Sequence, residues 1–400
     1  MKKQEIMLNI RQSDPLPDKE PEGPKPDKRK NDNKKGNRKV KPWMIIIGCV
    51  LLLMVACFYL TFRSIISDKS DTETAAILNN IDEKNSYQID IPSGSSTADI
   101  AKMLNEQNII KYPSIFKLIS KLDGYDSMYR SGVHYIPKDD GRNNLFKIIS
   151  KYKEVMIILS SEPKSLTVTF PEGLTVKEVA EKLYQKKVVD IDKFLNTAQT
   201  GKFDYKFLKD LPNREDRLEG YLFPDTYKFE LNQKESDVIK IMLNNFNEKF
   251  QPEFYDQAKK LNMSVDQIII LASIIEKESA NPDDRRKIAG VFYNRLHSKD
   301  VTLRKLQSCA TIKYAFFRRD GTLKKSISIQ DTKINDPYNT YQIQGLPPGP
   351  ICAPSLDSIK AALYPDTTDY MYFLARGDGT TQFSRTYAEH GAAMKKYGLN

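Results

Sequence analysis

Histidine, cysteine and tryptophan are scarce in this chain: three, four and one among 400 residues. His134, His297 and His390 stand too far apart for an H-x-x-x-H pair, and there is neither a C-x-x-C nor a glycine-rich phosphate loop. That excludes the motif-borne zinc, redox-dithiol and nucleotide sites, so no metal and no cofactor is expected. Cys49 and Cys57 fall in an apolar run, and the remaining pair, Cys309 and Cys352, is too few for a disulfide framework. Whether those two pair is left open, with free buried thiols the expected state. Charge is also unevenly absent. Residues 43–62, WMIIIGCVLLLMVACFYLTF, carry none over 20 positions, enough for a helix of about 30 Å, the thickness of a bilayer core.

That run predicts a single-pass membrane anchor, too long and too far from the N-terminus for a cleaved signal peptide. Trp43 and Tyr59 suit its two interfaces. Residues 1–42 hold 13 Lys+Arg against 7 Asp+Glu, leaving 49 against 45 for the rest of a chain whose net charge is +10. The basic excess therefore abuts the membrane, which argues for a disordered cytoplasmic tail touching anionic lipid and against nucleic-acid binding. By the positive-inside rule everything after Arg63 lies outside the cell membrane. A polar stalk is expected over 63–85.

What the exported part does have is an almost unbroken apolar helix ending on carboxylates. It begins with a capping box, Ser264 with Gln267, and from Ile268 to Ile275 only Ser273 is polar. Such a helix runs through a core. Glu276 and Glu278 follow it two positions apart, about 200° around the helix, so they cannot share one site. Glu276, nearer the apolar run, is the candidate acid: desolvation raises a carboxyl's pKa and lets it carry a proton near neutral pH. The alternative is a solubilising helix end.

An internal repeat precedes this helix. IDIPSGSSTADIAKMLNEQNII (89–110) matches VTFPEGLTVKEVAEKLYQKKVV (168–189) at an offset of 79, each reading as a strand, a Pro-x-Gly turn and a helix with a capping box. The unit resembles half of a LysM-type module, a fold that binds polysaccharides built on N-acetylglucosamine; the alternative is a plain packing unit. Residues 131–140 and 153–160 read as strands around a helix over 144–151, and 217–229 alternates in strand fashion at Tyr221, Phe223 and Tyr227. Helices are expected over 235–249, 252–261 and 283–296, and a hairpin from 370–375 to 377–384.

LEGYLFPDTY (218–227), LASIIEKES (271–279), AGVFYNRL (289–296), LQSCATIKYA (306–315), YNTYQIQGLPPGPI (338–351), SIKAALYP (358–365) and FSRTYAEH (383–390) together resemble the endolytic murein transglycosylases of the MltG, or YceG-like, family over residues 86–398. The resemblance implies an α+β protein: membrane anchor (43–62), LysM-like small domain (86–165) and a mixed α+β catalytic domain (166–400). It also implies an enzyme that cuts nascent peptidoglycan strands and ends their growth, with Glu276 as the catalytic acid. Two departures stand out. Cys309-Ala310 replaces the Asp-Pro or Asp-Ala common in the family, and Ala353-Pro354-Ser355 replaces Asn-Pro-Gly, which questions a left-handed turn at Ser355.

A lytic transglycosylase needs one carboxyl group, because the attacking hydroxyl belongs to the muramic acid itself, whereas ordinary glycosidases need two. Orientation and charge stabilisation are then the protein's task. Gln307, Ser308, Asn339, Thr340, Tyr341, Glu389 and His390 are the candidate glycan contacts, being amides, hydroxyls and rings in the family's loops. Implied partners are glycan strands, membrane lipid, and peptidoglycan synthases and division proteins. Two other readings remain: a hydrolase pairing Glu276 with Glu389 or Asp225 to use water, and a non-enzymatic wall-binding scaffold.

Overall fold

The uncharged run lies within one helix, α1 (Pro42–Ile66), in a computed structural model that describes residues 41–66, 71–138, 144–279, 281–376 and 378–398. The expected basic tail lies almost wholly outside the described residues. The chain divides after Ile66 into two compact units. Described side chains of α1 run unbroken only from Trp43 to Cys57, and among the described residues no helix is long and apolar enough to cross a membrane. The second unit starts with α2 (Asp71–Asn79), within the expected stalk.

The repeat is deeper than its sequence signature. Its first copy is β1 (Ser86–Ile91), α3 (Thr97–Glu106), α4 (Pro113–Leu122) and β2 (Gly132–Pro137), with β1 and β2 antiparallel from Ser86↔Pro137 to Ile91↔Gly132. A linking helix, α5 (Leu145–Ser160), leads to the second copy: β3 (Ser165–Thr169), α6 (Val176–Gln185), α7 (Ile191–Thr200) and β4 (Thr226–Glu230), with β3 and β4 again antiparallel. Ser96 with Asp99 and Thr175 with Glu178 form complete capping boxes. Gly94 and Gly173 both take positive φ in the Pro-x-Gly turns, as do Asn108 and Lys187, 79 residues apart, where the first helix of each copy ends.

Two strand expectations are corrected. Residues 153–160 continue α5, capped by Asn144, because nothing breaks the chain after 144–151 and Val155 to Leu159 are buried on every side. A short apolar run has no period with which to tell a buried helix from a strand. In 217–229 only the strand Thr226–Glu230 begins; Tyr221 lies in a turn and Phe223 in irregular chain, both buried by packing rather than by sheet alternation.

The rest of the unit is helical: α8 (Glu235–Lys249), α9 (Pro252–Lys260), α10 (Val265–Glu278), α11 (Arg285–Leu296), α12 (Cys309–Asp320) and α13 (Leu356–Leu363), then the hairpin β5 (Tyr372–Ala375) and β6 (Thr381–Ser384), and α14 (Tyr387–Tyr397). Helix α10 is the axis of the core, with its capping box formed as expected and Ile268 to Ile275 all buried. Its one interior polar group is put to use. Ser273 Oγ donates to Ile270 O (2.7 Å) and accepts from Ile351 N (3.0 Å), tying the 346–355 loop to the helix. Gly220, at φ +86°, lets the 215–223 turns press on that loop and on α10, since a Cβ there would come within 2.6 Å of Pro350 and 2.9 Å of Ile269.

Candidate active site

The two carboxylates at the end of α10 point to different neighbours. Glu276 Oε2 accepts from Ser355 N (2.9 Å) and Ser355 Oγ (2.5 Å), and its Oε1 faces Arg285 Nη2 at 3.4 Å. Ser355 is the N-cap of α13, with φ −67°, so no left-handed turn is needed there and serine serves in place of glycine. Glu276 thus staples α10 to α11 and α13. Its surroundings are therefore polar as well as apolar: Arg285 and the N-cap of α13 both face its carboxyl.

Glu278 has the environment expected of Glu276. It is turned toward the start of α12, where Ser308, the N-cap residue, donates its hydroxyl to Glu278 Oε1 at 2.5 Å and Ala310 N lies 3.4 Å away. Burial pushes its carboxyl above the ordinary range, against the Ser308 hydroxyl, the Ala310 N–H and Lys313, which pull it down. Oε2 has no hydrogen-bond partner among the described residues. The residue lines a cavity of about 310 Å³ between the ends of α10, α12 and α6, with Thr175, Lys277, Cys309, Lys313 and Tyr314. One oxygen is pinned and the other is free to exchange a proton.

The cavity's other carboxylate, Glu178, is engaged in the α6 capping box, accepting from Thr175 N (2.8 Å) and Thr175 Oγ1 (2.9 Å). Behind Tyr314 lies a second buried acid, Glu219. Burial first, then the charge of Asp216, pushes it up to about 8, and it accepts from Val176 N (3.2 Å) and Tyr314 Oη (3.2 Å). It does not line the Glu278 cavity; it joins the 215–223 turns to α6 and α12.

The other predicted residues separate into wall and frame. Gln307 is exposed at φ 54°, its Oε1 held by Arg295 Nη2 at 2.5 Å. Tyr341 Oη is 3.2 Å from Cys309 Sγ at the cavity wall. Asn339 and Thr340 are fully buried: Asn339 Nδ2 donates to Thr332 O and Ile334 O, and Thr340 Oγ1 accepts from Ser308 N. They hold in place the loop that holds Ser308. Glu389 is exposed and its Oε2 accepts from Arg385 N (2.9 Å) beside the cap of α14, while His390 stacks on Tyr372. Asp225, the other candidate second carboxylate, is tied to Asn245 Nδ2 (2.9 Å). Cys309 and Cys352 are free thiols, Cys309 exposed and Cys352 buried.

The sequence alone ranks Glu276 above Glu278 only by nearness to the apolar run, because both glutamates follow buried stripes of α10. What distinguishes them is which helix start each meets, Ser355 or Ser308, a long-range fact that periodicity does not carry.

Comparison with known proteins places this geometry among relatives. A family model described as the YceG-like family matches residues 89–396. A Bacillus subtilis (strain 168) protein named endolytic murein transglycosylase is 35% identical over 328 residues, covering 79% of this chain and 86% of that protein. A protein of the same name from Streptococcus pneumoniae serotype 2 (strain D39 / NCTC 7466) is 32% identical over 324 residues, or 76% of this chain, and the match spans 56% of that protein's length. A 2.6 Å crystal structure of a yceG-like protein from Listeria monocytogenes superposes with a TM-score of 0.50 at 31% identity, covering 77% of this chain and 99% of that one.

Proposed function

The chain belongs to the YceG-like family, and on that premise we propose that it is an endolytic murein transglycosylase with Glu278 as its proton carrier. The observation that carries the assignment is the arrangement of the Glu278 carboxyl: Oε1 fixed by Ser308 and the start of α12, Oε2 unoccupied, and burial favouring the protonated form. Protonated Glu278 gives its proton to the oxygen joining N-acetylmuramic acid to N-acetylglucosamine, and that C–O bond breaks as the muramic ring gains oxocarbenium character. The carboxylate then takes the proton of the same sugar's C6 hydroxyl, whose oxygen bonds to C1. A 1,6-anhydro ring closes and Glu278 is protonated again, with no water consumed. Since Glu178 is engaged in a cap, one working acid supports this route over hydrolysis.

The test is mass spectrometry of glycan strands digested by the full chain in detergent. Internal cuts yielding 1,6-anhydro ends, one water lighter than reducing ends, are expected. Reducing ends alone would replace this reading by the hydrolase, and uncut strands by the wall-binding scaffold.

Three finer points belong to the same reading. Helix α1 is the membrane anchor: its 25 residues include 20 without charge from Trp43 to Phe62, and its apolar side chains from Trp43 to Val55 are largely exposed. The β-α-α-β unit of 86–137 is a LysM-like module that grips glycan in a cleft of about 630 Å³ between its Pro-x-Gly turn and Tyr129. An anchored enzyme acting on nascent strands works outside the cell membrane, among lipid, peptidoglycan synthases and division proteins.

A further inference from the structure

Tyr387, in the first turn of α14, presents a large ring that is 74% exposed. It does not stand alone. Its ring centroid lies 6.0 Å from that of Tyr372 on β5, and Tyr372 is stacked on His390, one turn further along α14, at 5.2 Å and 22°. His390 Nδ1 is buried with no hydrogen-bond partner among the described residues, an uncommon state for a polar atom.

The cluster is linked by contacts to the residues that hold Glu278. The Arg295 guanidinium lies over the Tyr372 ring at 5.5 Å and donates to Gln307 Oε1; the next residue, Ser308, holds Glu278. A chain of contacts thus links Glu278 to Tyr372 and so to the exposed Tyr387. Aromatic faces with a polar atom at the edge suit a sugar ring, which offers C–H groups on its faces and hydroxyl or acetamido groups at its rim.

We propose that Tyr387, with Tyr372 beside it and His390 backing Tyr372, forms a distal aromatic subsite that stacks a sugar of the glycan strand away from the bond being cut. The proposal rests on the reading of the cleft as a glycan site. It gives the enzyme a means to favour the interior of a long strand, since a fragment too short to reach both Glu278 and Tyr387 forgoes the stacking.

The test compares wild type, Tyr387→Ala and Tyr387→Trp, as full chains in detergent, on long glycan strands and on a tetrasaccharide. For Tyr387→Ala the ratio of KM on long strands to KM on the tetrasaccharide rises roughly three- to tenfold, the range of one aromatic contact, and Tyr387→Trp restores it. An unchanged ratio overturns the subsite. Equilibrium binding of uncut long strands to Glu278→Gln, with and without Tyr387→Ala, reads the same contact without chemistry. Weaker binding by the double variant supports the subsite and equal binding overturns it. A wild type that cuts nothing would instead defeat the functional reading, leaving the binding comparison still decisive for the rings.

Discussion

Glu278→Gln abolishes glycan cutting, by at least about 10³-fold, while leaving the protein folded, because a positioned general acid contributes on the order of 10² to 10⁴ and here the same group must also take back a proton. Glutamine keeps the shape, and its carbonyl accepts from Ser308 Oγ and Ala310 N as the carboxylate does. The informative comparison is Glu276→Gln, two residues away. Glu276 holds Arg285 and the N-cap of α13, so its loss costs roughly 1–3 kcal/mol of stability, and folded protein retains cutting within about tenfold, less than one general acid is worth. Released glycan ends per folded molecule, with folding followed by circular dichroism, separate the two. Reversed effects would return the role to Glu276.

Asp266→Ala unfolds the protein more readily than any single change at the cavity. Asp266 accepts from Arg214 Nη1 (2.6 Å) and Nη2 (2.8 Å) and from the fully buried Tyr221 Oη (2.8 Å). Arg214 Nη1 also donates to Pro348 O (3.0 Å), so the ion pair joins the start of α10, the 215–223 turns and the Pro-rich loop. Removing one partner leaves a desolvated guanidinium and an orphaned hydroxyl, a loss of about 3–5 kcal/mol. Chemical denaturation checks it, as a lowered midpoint with an unchanged slope. A loss below 1 kcal/mol would mean that water replaces the carboxylate.

Local signals in the sequence carry much of this fold. Capping boxes at Ser96, Thr175 and Ser264 and the apolar run of α10 are properties of neighbouring residues, and each appears where spacing puts it. The 79-residue offset marked the first strand and helix of each repeat, but not the second helices and returning strands, whose sequences have diverged. Long-range pairings were illegible. Nothing near Glu276 and Glu278 says that one meets Ser355 and the other Ser308, 79 and 30 residues away. Asn339 and Thr340 illustrate the same limit: amides and hydroxyls in a loop suit sugar recognition and loop anchoring equally, and their burial and loop-holding hydrogen bonds are not written in the local sequence.

The central claim is that Glu278 retains a proton where an ordinary glutamate has lost it. Burial raises its carboxyl in the folded state, so the stabilisation it contributes is present below the usual glutamate value of about 4.3 and is lost as pH rises through the raised pKa, with the acid-dependent step failing over the same window. Carbon-13 NMR of glutamate-labelled protein, with Glu278→Gln to identify the resonance, measures this directly. The carboxyl signal missing from the variant is predicted to titrate above the ordinary glutamate range, with the rate of glycan cutting falling along the same curve. A signal that titrates at or below that range would contradict the account.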